Sequence, residues 1–419
     1  MGVTVQKPQA SPPLAPPGWR GDFAVAWRAF WLSRVVVWAA GLGAIAVWGV
    51  HAGHRVAFDP TGTTRPFGAF GDLLVAPAAR WDSVWYLDIA HSGYGGASGD
   101  RTAFFPLYPL LVKVVGLLGS PLIAAIAISC AAFVVALAAL HRLAVIEVGE
   151  DAARWAVLST ALFPGALWFS AAYSESVFLM VSVGAVLAAR RRRWVVAGLL
   201  GALGAATRSA GVLLAIPIAL LWLDAWRARE ARPVDVLWLG LVPVGLLAFC
   251  GYLAAEGPGF LAPFDAQDTW NRSLAGPWTG VWDGAVAAVD GVRQLVHGSD
   301  FPVYFAKAGG DPMAIGRHNL ALFLCLVIAV PAVVGALRRL PLAYGAYAAA
   351  ALLLPLSYPV SPQPLMSLVR FEAVLFPLFI WLGWWMARGP AWRRVAVLSL
   401  FALGLAMCSA LFSTWHWVA

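Results

Sequence analysis

From about Ala24 to the C-terminus, hydrophobic runs of about 18 or more residues recur along the chain. A run of that length is what a helix needs to cross a hydrocarbon core of about 30 Å. Their recurrence excludes a single anchor and requires a polytopic membrane protein, with room for about ten to twelve spans. Composition agrees: 61% of the residues are hydrophobic and 12% charged, with a mean hydropathy of +0.76. A soluble domain is about 45–50% apolar and about 25% charged. The first residues hold Pro8, Pro12, Pro13, Pro16 and Pro17, with neither an apolar run nor a small-residue cleavage site. Residues 1–23 are therefore expected to form a disordered tail, and residues 24–419 one transmembrane domain.

Helices are expected at 28–50, 121–141, 154–171, 174–189, 194–206, 209–223, 234–254, 318–337, 341–357, 368–387 and 395–413. With the N-terminus cytoplasmic, 17 of the 29 basic residues fall inside against 7 of the 21 acids. The outer side takes 11 basic residues and 14 acids, and Arg34 lies within the first span. The run Arg190 to Arg193 is the strongest inside anchor. This asymmetry sets the orientation, with the C-terminus outside after eleven spans. The formal charge of +8 accordingly reflects topology and does not point to nucleic acid. Two long outer loops follow, at about residues 51–103 and 255–317. Residues 104–118 contain Pro106 and Pro109, which interrupt a helix. They are expected to form a re-entrant or interfacial segment; as a span, they would turn the arginine clusters outward.

Signatures of soluble enzymes are lacking. GLGAIA, residues 41–46, fits the dinucleotide pattern GxGxxA, but it lies inside a hydrophobic span with no strand before it. There is no P-loop, HExxH or GxSxG motif. Gly198, Gly201 and Gly204 read as helix-packing notches. Cys130, Cys250, Cys325 and Cys408 all fall within spans without a CxxC, as small buried apolar residues do.

Against this background the segment RWDSVWYLDIAHSGYGG, residues 80–96, concentrates polar and aromatic groups in the first outer loop. The orientation brings further polar residues to the same side: Tyr173, Ser174 and Glu175; Thr207, Arg208 and Ser209; Gln267, Asp268, Trp270, Asn271 and Arg272; His318 and Asn319; Arg370 and Glu372. Charges at membrane depth usually face a cavity or a partner, so such convergence has the form of a site. Blander readings stand beside it. Glu175 and Arg208 could form only a structural pair, Trp85, Tyr86, Trp270 and Trp278 could be interfacial belt aromatics, and His91 could be a loop hydrogen-bonder. Asp82 has the strongest geometric case. In a surface helix it shares a face with Trp85, Tyr86 and Ile89, while Asp88 points about 120° away.

The block at residues 80–96, followed by TAFFPLYPLL, resembles the first-loop signature of the PIG-V mannosyltransferases, in their bacterial branch. FPGALWFSAAYSESVFLM, ATRSAGVLL, QDTW, SLVRF and the terminal TWHWVA fall in order where that family has related blocks. The resemblance implies an all-α polytopic glycosyltransferase of GT-C type, with about eleven transmembrane helices, interfacial helices in a long first extracytoplasmic loop, and an active site at the outer face. It also implies a polyprenyl- or dolichyl-phosphate mannose donor and a glycan or glycolipid acceptor; no cofactor is expected, with dependence on a divalent metal left open. The acidic position of the WD pair falls on Asp82, the YSE glutamate on Glu175, and the TRS and RF arginines on Arg208 and Arg370. Asp88 and His91 match no strict motif position, and no DxD pair marks a metal site in the first loop.

In the expected chemistry Asp82 takes the acceptor proton. Arg208 and Arg370, with Arg272 and His91 as second choices, stabilise the departing phosphate. Trp85, Tyr86, Tyr173, Trp270, Gln267, Asp88 and Glu175 are expected to contact substrate. A transporter or flippase, or an inactive scaffold, would also account for apolar spans with buried charge. A transport site usually lies at the midplane between internal repeats, and here the polar groups gather on one side.

Overall fold

The structure, a computed structural model, describes residues 18–95, 99–298, 311–360 and 363–418. Among these the chain is helical, with one isolated β-bridge joining Arg272 to Val360. The first helix, α1 (Trp19–Trp48), is followed by three short helices, α2 (Ala52–Phe58), α3 (Gly68–Val75) and α4 (Ser83–Ser92), and then α5 (Leu107–Gly116). The bundle continues through α6 (Pro121–Val148), α7 (Glu150–Leu162), α8 (Glu175–Arg190), α9 (Trp194–Thr207), α10 (Ala215–Arg227) and α11 (Val244–Glu256). After α12 (Ala262–Asp265) and α13 (Pro277–His297) come α14 (Pro312–Arg339), α15 (Leu342–Leu356), α16 (Leu368–Ala373), α17 (Phe376–Ala387) and α18 (Ala391–Ser413).

Each of the eleven expected segments coincides with helix, but only six stretches among the described residues are long and apolar enough to cross a membrane. They are Trp19–Trp48, Pro121–Val148, Ser209–Arg227, Pro233–Glu256, Pro312–Arg339 and Ala391–Ser413. The helices α7, α8, α9, α15 and α17 are shorter, about 18–24 Å at 1.5 Å per residue. The physical cause is a set of breaks, and one falls at Phe163, where Pro164 opens a 3-10 turn running to Phe169. A broken backbone in a bundle leaves carbonyls that water cannot reach. Arg34 of α1 fills that need: its guanidinium donates to Ala166 O at 2.9 Å and to Ser170 Oγ at 2.5 Å.

The expected tail boundary at residue 23 is corrected, because α1 is already helical from Trp19. Arg20 and Asp22 interrupt the apolar pattern there, yet Asp22 is buried and accepts from His141 Nδ1 at 2.8 Å and from Arg142 Nε at 2.5 Å. The segment around 104–118 becomes α5, only ten residues long and capped by Pro106. At about 15 Å it cannot span.

The core is built on α6 and α8, with Phe133 stacked on Phe169 at 4.5 Å. The glycine notches of α9 are real close approaches: a Cβ at Gly198 would lie 2.3 Å from Trp238 O, and one at Gly201 2.7 Å from a Val242 methyl. Outward faces stay apolar, as Trp27, Trp31 and Val35 of α1 and Leu400, Leu403 and Met407 of α18 show. Such faces suit lipid contact.

Candidate active site

The turn before α4 is tied down on several sides. Arg80 is buried without a carboxylate partner among the described residues, and burial lowers its pKa to about 9. Its Nε donates to Ser413 O at 3.1 Å, and a terminal nitrogen donates to Ala79 O at 3.1 Å and to Ala76 O. Tyr173 Oη donates to Arg80 O and accepts the Asp82 N–H, both at 3.1 Å. Burial, with the Asp82 carboxylate next, pushes the Tyr173 phenol well above its ordinary range, so it acts as a neutral hydroxyl. One turn on, Tyr86 Oη pairs with Ser174 Oγ at 2.8 Å. These bonds dock α4 onto the broken segment before α8.

Asp82 Oδ2 accepts from an Arg370 terminal nitrogen. Arg370 Nε lies 3.2 Å from Glu175 Oε1, and the same oxygen accepts from Arg208 at 3.0 Å. Two carboxylates and two guanidiniums thus form one array, each guanidinium facing a carboxylate. Arg272 adds a third cation without a carboxylate partner among the described residues. Burial lowers its pKa to about 10, with the nearby Arg370 contributing next, and this leaves it charged at neutral pH. All three guanidiniums surround the Phe371 ring, at 5.4 Å for Arg208, 5.5 Å for Arg272 and 5.7 Å for Arg370. The negative face of an aromatic ring attracts cations and eases their crowding.

The array borders a cavity of about 530 Å³. Its polar lining includes Asp82, Tyr86, Tyr173, Arg208, Gln267, Arg272 and Arg370, and Trp270 stands beside them. Much of the apolar lining comes from bundle helices, with Leu246 from α11 and Tyr347, Ala351 and Leu354 from α15. Among the described residues no group of three or more His, Cys, Asp or Glu side chains is placed to hold a metal ion.

Four of the residues expected to contact substrate or phosphate are not in this lining. Glu175 is buried behind Arg208 and Arg370 and pairs with both, outside the cavity lining. Asp88 pairs with Arg101 and ties α4 to the Gly99–Ala103 turn. Trp85 stacks on Phe104 at 5.8 Å and reaches the cavity only through that ring. His91 is exposed at the end of α4, outside the cavity lining. The cavity also includes residues the sequence did not single out: Trp81, Phe104, Phe371, and Trp417 and Val418 after the last helix.

The fold and site define a polytopic helical membrane protein with a carboxylate and an arginine cluster facing a largely apolar cavity. Residues 68–224 match the family model described as mannosyltransferase (PIG-V), as the resemblance at residues 80–96 anticipates. The match takes in Asp82, Tyr173, Glu175 and Arg208; Arg272 and Arg370 lie beyond it. GPI alpha-1,6-mannosyltransferase 2 of Rattus norvegicus is 33% identical over 175 residues, covering 38% of this chain and 35% of the relative. The Mus musculus protein of the same name is 33% identical over 177 residues, with the same coverage. The chain thus spans about a third of the length of the curated relatives it matches. Among solved structures, the apo oligosaccharyltransferase of Archaeoglobus fulgidus is similar at a TM-score of 0.45 and 16% identity, covering 91% of this chain and 56% of that one.

Proposed function

We propose that this chain is a membrane mannosyltransferase of GT-C type that moves mannose from polyprenyl-phosphate mannose to a hydroxyl of an extracytoplasmic glycan or glycolipid. The observation that carries the reading is the meeting, in one cavity, of the Asp82 carboxylate, three guanidiniums and an apolar lining from bundle helices. An anionic headgroup on an apolar chain is the ligand whose chemistry suits both linings.

Asp82 Oδ2 is engaged by Arg370, while Oδ1 accepts no hydrogen bond from the described residues. Oδ1 takes the proton of the acceptor hydroxyl as that oxygen attacks the anomeric carbon. The bond from that carbon to the phosphate oxygen breaks, and the lipid phosphate leaves with the electron pair. Arg272, which forms no ion pair among the described residues, and Arg208, which shares Glu175, stabilise the charge gained by the phosphate. Attack opposite the leaving group inverts the centre, so a β-linked donor yields an α-mannoside without a covalent enzyme intermediate.

The test is mass-spectrometric detection of sugar transfer from polyprenyl-phosphate mannose by the purified chain in detergent, with a panel of glycan and glycolipid acceptors, with and without chelator. An α-mannoside product together with free polyprenyl phosphate is expected. Movement of intact lipid across vesicles without any transfer would replace this reading with a flippase.

A further inference from the structure

Trp81, immediately before Asp82, has φ +54°, and Trp415 has φ +64°. The left-handed region is disfavoured for a bulky L residue, because its Cβ crowds the backbone. A tryptophan stays there only when its surroundings over-determine it. These two determine each other, with rings 5.5 Å apart. The Trp81 ring is further boxed by Phe58 at 4.7 Å, Trp417 at 4.9 Å and His54 at 5.5 Å.

Hydrogen bonds to backbone carbonyls tie the same three segments together. Arg80 Nε donates to Ser413 O at 3.1 Å, the His51 N–H donates to Thr414 O at 2.9 Å, and His54 Nδ1 pairs with Trp415 O at 2.8 Å. The chain after α18 therefore braces the Arg80–Asp82 turn on one flank while Tyr173 holds it on the other. Trp415 is fully buried and lies outside the cavity lining. It reaches the turn through the Trp81 ring and through the Arg80 guanidinium, which lies 5.2 Å from the Trp415 ring.

We propose that Trp415 is a positioning residue: the segment from Thr414 to Trp417 clamps Trp81 in its left-handed conformation and so aims Asp82 Oδ1 at the acceptor. This rests on Asp82 being the base. Releasing the clamp lets the turn relax toward negative φ and swings the Asp82 Cα–Cβ bond, with the donor pocket otherwise intact. A displacement of about 1 Å at a reacting group can cost about a hundredfold in rate.

The experiment compares Trp415→Leu, Trp415→Phe and Asp82→Asn, singly and combined, in the purified full chain, reading kcat and donor KM separately. Trp415→Leu should lower kcat at least about tenfold with KM within about twofold, and Trp415→Phe, which keeps a ring against Trp81, should recover most of the loss. Adding Trp415→Leu to Asp82→Asn should cost nothing more, because residues acting as one unit are not additive. Wild-type kcat in folded Trp415→Leu, or an equal further loss in the Asp82→Asn background, overturns the clamp. Normal turnover in Asp82→Asn alone overturns the base assignment instead, a result no Trp415 variant can produce. Should Trp415→Leu fail to fold, His54→Ala loosens the clamp from outside the cavity, with an expected kcat loss of about threefold at unchanged KM; wild-type kcat there overturns the proposal.

Discussion

Asp82 and Arg370, 288 residues apart in sequence, meet as a carboxylate–guanidinium pair at the wall of the cavity. Arg370 fixes one carboxylate oxygen, and in the proposed reaction the other takes the acceptor proton. Asp82→Asn keeps shape and size but cannot take a proton, so turnover should fall by about a hundredfold or more, with the protein still folded. Arg370→Lys keeps the charge yet loses the planar fork that reaches both Asp82 and Glu175, and should also lower kcat. Steady-state transfer assays with thermal unfolding in parallel check both; near wild-type turnover in Asp82→Asn would remove it as the base.

Glu175 is predicted to matter for stability first. Its side chain is 1% exposed and faces two guanidiniums. Glu175→Ala leaves two half-buried cations without their shared partner; breaking a fully buried pair costs about 3–5 kcal/mol, which is the upper bound here. Its midpoint of unfolding should therefore fall clearly below that of Asp82→Asn, which removes a more accessible charge. Equal midpoints for the two variants would contradict the burial argument.

Arg272 and Arg208 separate the free cation from the paired one. Arg272→Ala removes a guanidinium that holds no carboxylate among the described residues, so it should reduce kcat/KM for donor by about ten- to a hundredfold with little effect on folding. Arg208→Ala should reduce kcat/KM and stability together, because it also strands Glu175. Donor titrations and unfolding scans on the two variants distinguish them; an unchanged kcat/KM in Arg272→Ala would count against phosphate contact there.

The elements legible in sequence are those whose signal is local. Eleven apolar segments announce themselves by hydropathy, and Asp82 stands out because its neighbours Tyr86 and Ile89 share its helical face. The start of α1 was hidden, since Arg20 and Asp22 look like a polar boundary until Arg142 and His141 arrive to pair with Asp22. Helix α13 was missed for a different reason. Its buried face is Gly280, Gly284, Ala287, Ala288 and Gly291, too small to raise an apolar signal. The role of Glu175 depends on Arg370, which only the fold brings to it. The Trp81–Trp415 contact depends on two left-handed φ values, for which a tryptophan gives no cue.

Packing between α9 and α11 gives a prediction independent of activity. A Cβ at Gly245 would lie 2.0 Å from Ala202 O, whereas one at Gly240 meets nothing within 4 Å. Gly245→Ala should destabilise by about 1–3 kcal/mol through overpacking, and Gly240→Ala should stay within about 0.5 kcal/mol. Thermal unfolding in one detergent compares the pair directly. A Gly245→Ala protein as stable as Gly240→Ala would mean that the two helices are farther apart than described.

Topology can be tested with the same chain, because the proposed reaction has its lipid-linked donor reach Asp82 from the outer surface. Ser92, at the exposed end of α4, and Ala228, exposed after α10, fall on opposite sides in the orientation set by the arginine distribution. The four native cysteines lie within apolar helices and are buried or half-buried, so they can be replaced by alanine to give a silent background. Ser92→Cys in intact cells should react with a membrane-impermeant maleimide, and Ala228→Cys should react only after permeabilisation. The reverse pattern would put the Asp82 turn in the cytosol, where a donor presented at the outer leaflet could not reach it, and the proposed transfer would lose its substrate.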